Sequence, residues 1–136
     1  MSLFNVFRIA GSGLEAQTVR MNTTASNLAN ADSVASRPED AYRSKQPVFS
    51  AELSALQKGE NPGVQIKGIV ESEAPGAMRY EPNNPMADEK GYVYGSNVNT
   101  IEELVNMISA SRSYQNNVEV MTNSKQMLLR TLQLGK

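Results

Sequence analysis

Large apolar residues recur every seven positions at both ends of the chain. At the N-terminus they are Phe7, Leu14, Met21 and Leu28, interleaved with Phe4, Gly11, Thr18 and Ala25. Near the C-terminus they are Met107, Tyr114, Met121 and Leu128, interleaved with Leu104, Ser111, Val118, Lys125 and Leu132. Heptad spacing puts both columns on one seam of a helix, and that seam needs a second helix to cover it. The pattern predicts a helix from about Leu3 to Ala29, roughly 40 Å long, and another from about Thr100 to Leu134, roughly 55 Å long. Each seam is the obvious partner of the other. The expected fold is mainly α: long N- and C-terminal helices forming an antiparallel coiled-coil pair, with a small β-rich central segment.

Local signals set the element ends. Asn99 is placed to cap the second helix, and Glu102 and Glu103 fall in its first turn, favourable against the helix dipole. Gly135 supplies a stop. In the first helix Gly11 and Gly13 each cost about 1 kcal/mol relative to Ala, which predicts a kink or a frayed first third. After Ala29 the turn formers Asn30, Asp32 and Ser33 predict a loop running to about Pro47.

The centre offers only short strand patterns. Val64 and Ile66 alternate with polar neighbours, Gly68 breaks the alternation, and Ile69-Val70 follow, which predicts a strand with a bulge. Met78–Tyr80 and Tyr92–Tyr94 are two more strands. Val48 to Leu56 reads equally as strand or short helix. Gly59–Gly63 and Glu81–Pro85 are turns by composition. One small antiparallel sheet is expected, marginal without a face to pack on. The domains expected are residues 1–35 with 97–136 as a discontinuous helical core, and residues 36–96 as the β/loop segment.

The C-terminal helix carries two further signals. Ile101, Leu104, Val105 and Ile108, and again Leu128, Leu129 and Leu132, are wider than one seam, so further helices are needed to cover them. Between them lies a polar but nearly uncharged flank with Ser109, Ser113, Asn116, Asn117, Asn123 and Ser124. Solvated helix faces normally carry Lys and Glu. A neutral flank suits packing beside other polypeptide or lining a passage. The alternative is an exposed helix of low stability.

Composition narrows the function classes. A net charge of −1 gives no electrostatic case for nucleic acid or an anionic membrane surface. The absence of Cys and His removes thiolate chemistry, the commonest general base and the commonest metal ligand. No apolar run approaches the roughly 20 residues of a membrane span, and Met1 to Ala10 do not read as a cleavable secretory leader.

Candidate chemistry fails on context. Gly11-Ser12-Gly13-Leu14-Glu15-Ala16, with Asp32 beyond it, fits a dinucleotide fingerprint, but the heptad runs through the glycines and no second buried strand follows. The adjacent carboxylates Glu39-Asp40, Asp88-Glu89 and Glu102-Glu103 lack an apolar setting that would hold one protonated. Lys125 lies in a seam column and is expected to stretch to water or pair with a neighbouring carboxylate. Asn22-Thr23-Thr24 is a glycosylation pattern on a predicted helix. Met21, Met107, Met121 and Met127 read as adaptable packing. No enzyme, cofactor or metal centre is expected. What remains is a polymer subunit or, as a second reading, a monomeric module that captures one partner helix.

Three motifs carry a resemblance. Ala25-Ser26-Asn27-Leu28-Ala29-Asn30-Ala31-Asp32 resembles the end of the N-terminal helix in the flagellar rod and hook axial proteins. Tyr80-Glu81-Pro82-Asn83-Asn84-Pro85, with Gly91-Tyr92, resembles the central segment of a proximal-rod member of that family. Ser111-Arg112-Ser113-Tyr114-Gln115 and the residues to Gly135 resemble its C-terminal pattern, with Asn116 where Ala is expected. The resemblance covers nearly the whole chain. It implies a structural subunit of the proximal rod, exported without a cleavable signal by the flagellar type III apparatus. Such a subunit crosses the periplasm in a helical tube around the export channel and transmits torque. The implied partners are further copies, the rod proteins FlgB, FlgF and FlgG, and the adaptor FliE. No nucleic acid and no direct membrane insertion is implied.

Overall fold

The computed structural model describes residues 3–52 and 61–135. In chain order the elements are α1 (Leu3–Ala29), β1 (Val34–Ala35), β2 (Lys45–Ala51), β3 (Val64–Glu71), β4 (Met78–Tyr80), β5 (Tyr92–Gly95) and α2 (Thr100–Leu134). Both helices occupy the residues that the heptads predict. Asn99 caps α2 through its side-chain oxygen, which accepts from the amides of Ile101 and Glu102. Gly135 follows the last turn with φ −87°, and its amide donates to the Thr131 carbonyl. The stop therefore does not use the left-handed conformation that glycine allows.

α1 packs along α2 on one side and against the β2–β3 hairpin on another. The helices run antiparallel: Gly13 meets Asn117, and Arg20 donates to Asn106 at 3.0 Å. α1 is one unbroken helix through Gly11 and Gly13, so the expected fraying of its first third does not occur. Gly13 gives α2 room to approach, so its missing side chain is used for packing.

The strands form two sheets where one was expected. β5 pairs antiparallel with β1 and with β4, while β2 and β3 form a separate antiparallel hairpin. Between β3 and β4 the chain passes through Pro75, which has no amide to donate, so a ladder cannot run on through it. The loop expected from Asn30 to Pro47 also contains structure. β1 adds two residues to β5, and β2 begins at Lys45. Pro47 is accommodated because the hairpin has only two strands, which leaves an outer edge that needs no donor. The bulge expected at Gly68 is present. Register slips between Val48 and Phe49, opposite Gly68, whose φ is +155°. Val48–Ala51 is strand. Leu53–Leu56 and Gly59–Glu60, the rest of the ambiguous stretch and the start of the expected turn, lie outside the described residues.

Among the described residues, the buried apolar side chains are small: Ala10, Ala16, Ala35, Val93 and Ala110. The larger apolar residues stay on the outside, including Ile101 at 76% exposure and Leu134 at 88%. The chain exposes 9321 Å². A compact monomer of this mass exposes roughly 7,000 Å². The fold is thin, with too little interior to shelter its own apolar surface.

Candidate assembly surface

The helix seam differs from its heptad prediction in one column. Met107, Tyr114, Met121 and Leu128 are half-buried, as their spacing requires. The column between them is Glu103, Ala110, Asn117 and Ser124, not Leu104, Ser111, Val118 and Lys125. Glu103, Ala110 and Ser124 are buried and Asn117 is half-buried, whereas Leu104, Val118 and Lys125 are exposed. A one-residue step turns a helix by about 100°, so this choice moves the apolar column outward. Ala110 and Ser124 are the small members of this inner column, and between them Asn117 meets Gly13, where the missing side chain lets α1 and α2 approach. On α1, Phe7, Leu14, Met21 and Leu28 are half-buried, while Phe4 is 74% exposed. Ile108 and Leu132 are also exposed. Lys125 reaches water.

Asn27 is the main polar hub and is 1% exposed. Its amide nitrogen donates to the Lys45 carbonyl and its oxygen accepts from the Lys45 amide, both at 2.8 Å. The same oxygen accepts from the Tyr42 hydroxyl at 3.0 Å. One side chain thus replaces a ladder partner for the first residue of β2 and ties the hairpin to the end of α1. Asn30 closes the same helix end, its amide nitrogen donating to the Ser26 carbonyl at 2.8 Å. Leu28 packs half-buried, and Ala29 is exposed.

A second hub, Asn97, was not found from the sequence. It accepts from the Ser44 amide at 2.6 Å and donates to the Ala74 carbonyl at 2.8 Å. Beside it, Ser96 donates to the Ala31 carbonyl at 2.6 Å. Together Asn27, Ser96 and Asn97 join both sheets to the base of the helix pair. The one sequence signal was their place beside the α1 terminus and the α2 cap, where polar side chains routinely satisfy loop backbone.

The central motif forms a self-contained loop. The Glu81 amide bonds to the Gly91 carbonyl at 2.9 Å, and Asn84 turns the chain by donating to Glu81 and accepting from the Met86 amide. Gly91 has φ +83°, and a Cβ there would lie 2.9 Å from the Tyr80 ring and 3.2 Å from Pro82. Tyr80 and Tyr92 meet edge to face at 5.2 Å. Pro82 and Pro85 are exposed on the loop. Asp88 accepts from the amides of Lys90 and Tyr92 and from the Tyr94 hydroxyl. The Tyr92 amide above all holds the Asp88 carboxyl below its ordinary pKa. Burial, with the hydrogen bond to Asp88, pushes the Tyr94 hydroxyl up. This carboxylate folds a loop. It does not form an acid–base pair with Glu89.

The dinucleotide fingerprint lies wholly within α1. A parallel-sheet phosphate turn is therefore absent there. Among the described residues no cluster of three or more acidic side chains could hold a metal ion, and no helix is long and apolar enough to cross a membrane. An open cleft of about 370 Å³ lies between residues 38–43 and 73–78, with Tyr42, Met78 and Tyr94 in its walls. Arg112 and Gln115 project from α2 beside the exposed apolar stripe, and Tyr114 turns toward the seam. The surface that stands out is the apolar outer face of α2, not a pocket.

Residues 7–35 match the family described as "Flagella basal body rod protein", and residues 89–134 match "Flagellar basal body rod FlgEFG protein C-terminal". The chain is 52% identical to the flagellar basal-body rod protein FlgC of Escherichia coli O6:H1. It is 50% identical to the FlgC proteins of Salmonella typhimurium and Yersinia enterocolitica. In all three comparisons the match spans 100% of both chains.

Proposed function

The chain belongs to the FlgC family of flagellar basal-body rod proteins, and from that premise we propose that it is a structural subunit of the proximal rod. Copies and relatives pack into a helical tube around the export channel, and the tube carries torque from motor to hook. The observation that carries this reading is the outward apolar face of α2, over an interior whose buried apolar side chains, among the described residues, are four alanines and one valine. Each large side chain that a neighbour buries contributes roughly 1.5–3 kcal/mol as an upper estimate. A subunit that leaves so many uncovered gains most of its stability from assembly.

In this reading α1 and α2 form an antiparallel coiled coil. Residues 1–35 and 97–136 are the core domain, and residues 36–96 pack outside it. Phe4, Leu104, Ile108, Val118 and Leu132, exposed in the single chain, are covered by neighbouring subunits. The partners are FlgB, FlgF, FlgG and FliE, with FliE below. The chain crosses to the periplasm through the flagellar type III apparatus, and its role there is structural.

The test is assembly itself. A motile host lacking its own copy should regain swimming when supplied with this chain, and basal bodies should show it in the rod by electron microscopy. A chain that stays monodisperse at all concentrations and binds a single helical partner would be a capture module instead, and the proposal would fail.

A further inference from the structure

A polar cavity of about 400 Å³ opens where α1, the start of β2 and the first turns of α2 meet. Arg20 and Thr24 of α1, Lys45 and Phe49 of β2, and Glu102 and Glu103 of α2 line it. Glu103 is 6% exposed, and its carboxylate has no hydrogen bond or ion pair among the described residues. Glutamate is almost never this buried without a partner, because a desolvated charge is costly. Its amide is already engaged, donating to the Asn99 carbonyl at the helix start. Thr24 is buried in the same wall, and its hydroxyl also lacks a partner among the described residues. Neither group is sealed off: among the described residues the one sealed side-chain atom without a partner is Gln17 Oε1. The Glu103 oxygens and the Thr24 hydroxyl therefore open on the cavity.

The cations nearby are turned elsewhere. Arg20 donates to Asn106 at 3.0 Å. Lys45 Nζ lies 3.8 Å from Glu71 and 5.7 Å from the centre of the Tyr42 ring. Arg20 and Lys45 set against Glu71, Glu102 and Glu103 leave the site one positive charge short. The N-terminus of α2 adds roughly half a positive charge, which does not close the gap. An anion would face Glu103. A bare metal ion would find two carboxylates beside a guanidinium, and no third acidic ligand stands among the described residues. A cation that carries N–H donors on a short aliphatic stem satisfies the whole set. It donates to Glu103 and Thr24, and its stem lies along Pro47 and the Phe49 ring.

We propose that this cavity binds one alkylammonium or guanidinium head group, with Glu103 as the anchoring anion. The head group belongs either to a lysine or arginine side chain of another polypeptide or to a free alkylamine. The site follows from the single chain and does not depend on the assembly reading above.

A ligand that binds only the folded chain stabilises it by mass action, so the test is thermal. The full chain, at fixed concentration and ionic strength, is melted with increasing n-propylguanidine while helical circular dichroism is followed. The midpoint should rise saturably, by about 5 °C at ten times the concentration giving half the effect. Tetramethylammonium, which has no N–H, should leave it unchanged. Glu103→Gln removes the uncompensated charge, so it should start at a higher midpoint and lose the response. Thr24→Val should respond only at a concentration about threefold higher. No response in the parent, an equal response to tetramethylammonium, or a response kept in Glu103→Gln would overturn the site. A second arm in a motile host lacking its own copy identifies the source. Swimming lost with Glu103→Gln, while the chain is still made and exported, assigns the head group to a neighbouring polypeptide. Swimming kept assigns it to a free amine.

Discussion

Gly13 lies directly under Asn117: a Cβ at Gly13 would sit 2.8 Å from the Asn117 amide nitrogen. Gly11, two residues earlier, has nothing within 4 Å of the same position. The two glycines therefore predict opposite outcomes. Gly11→Ala should stabilise α1 by about 0.5–1 kcal/mol through helix propensity. Gly13→Leu should push the helices apart and cost about 1–3 kcal/mol, as overpacking does. The thermal midpoint for loss of helical circular dichroism in assembled protein would separate them, with Gly11→Ala above the parent and Gly13→Leu below it.

Asn27→Ala should release the start of β2. It removes both bonds to Lys45 and one to Tyr42, and leaving buried backbone groups unpaired costs about 1–3 kcal/mol. Amide exchange at Lys45 should accelerate far more than at Val93 in β5. Uniform acceleration across both would mean that Asn27 supports the whole fold and not this one junction.

The Asp88 loop should loosen in acid. Its folded pKa is held below the unfolded value, mainly by the Tyr92 amide. The stabilisation is therefore complete above the ordinary carboxylate range, near pH 4, and is lost as pH falls through the depressed folded value. Amide exchange at Tyr92, taken relative to the intrinsic rate at each pH and followed from pH 6 downward, should rise in the parent. In Asp88→Asn that rise should be largely absent, because the charge it reports is gone while an oxygen acceptor remains.

Leu14→Asp and Val118→Asp should each abolish assembly and swimming while export of the chain continues. Leu14 is half-buried and Val118 is exposed in the single chain, so they probe the inner and outer faces separately. Swimming with Val118→Asp but not with Leu14→Asp would show that the outer face of α2 meets water.

Dilute monomer should be less helical than the full length of α1 and α2 implies. Its seam is lined by Ala110, Asn117 and Ser124, which bury little apolar area, and helices without tertiary packing are marginal in water. Circular dichroism on a dilution series should show helix content rising with concentration, and a constant, full value would contradict the dependence on neighbours.

The helix limits were legible because Asn99, Gly135 and the turn formers after Ala29 are local signals that act on their own neighbours. The bulge was legible for the same reason, from Gly68. The inner column of α2 was not, because a heptad reading assumes that the largest residues face inward. Here the close approach at Gly13 selects Ala110 and Ser124, and Leu104 and Val118 are left outside. Looking for small residues at seven-residue spacing, instead of large ones, would have found Ala110 and Ser124, with Asn117 between them, though not Glu103. The division into two sheets was hidden as well. Pro75 marks a break between β3 and β4, but the placement of the two sheets also involves Asn27 and Asn97 bonding to backbone 18 and 53 residues away in sequence, and no local pattern encodes such pairings.

The hairpin is fastened to α1 at both of its ends. Asn27 holds Lys45, and near the other end of the helix Arg8 binds Glu52 at 2.7 Å while Ser12 accepts from the Val64 amide at 3.0 Å. The glycines at 11 and 13 fall between these fastenings, where an unsupported helix would bend most easily. The β strands therefore act as a splint. Flexing α1 at its weakest stretch means tearing the hairpin loose, so the rigidity of that helix under twist is borrowed from the small sheet beside it.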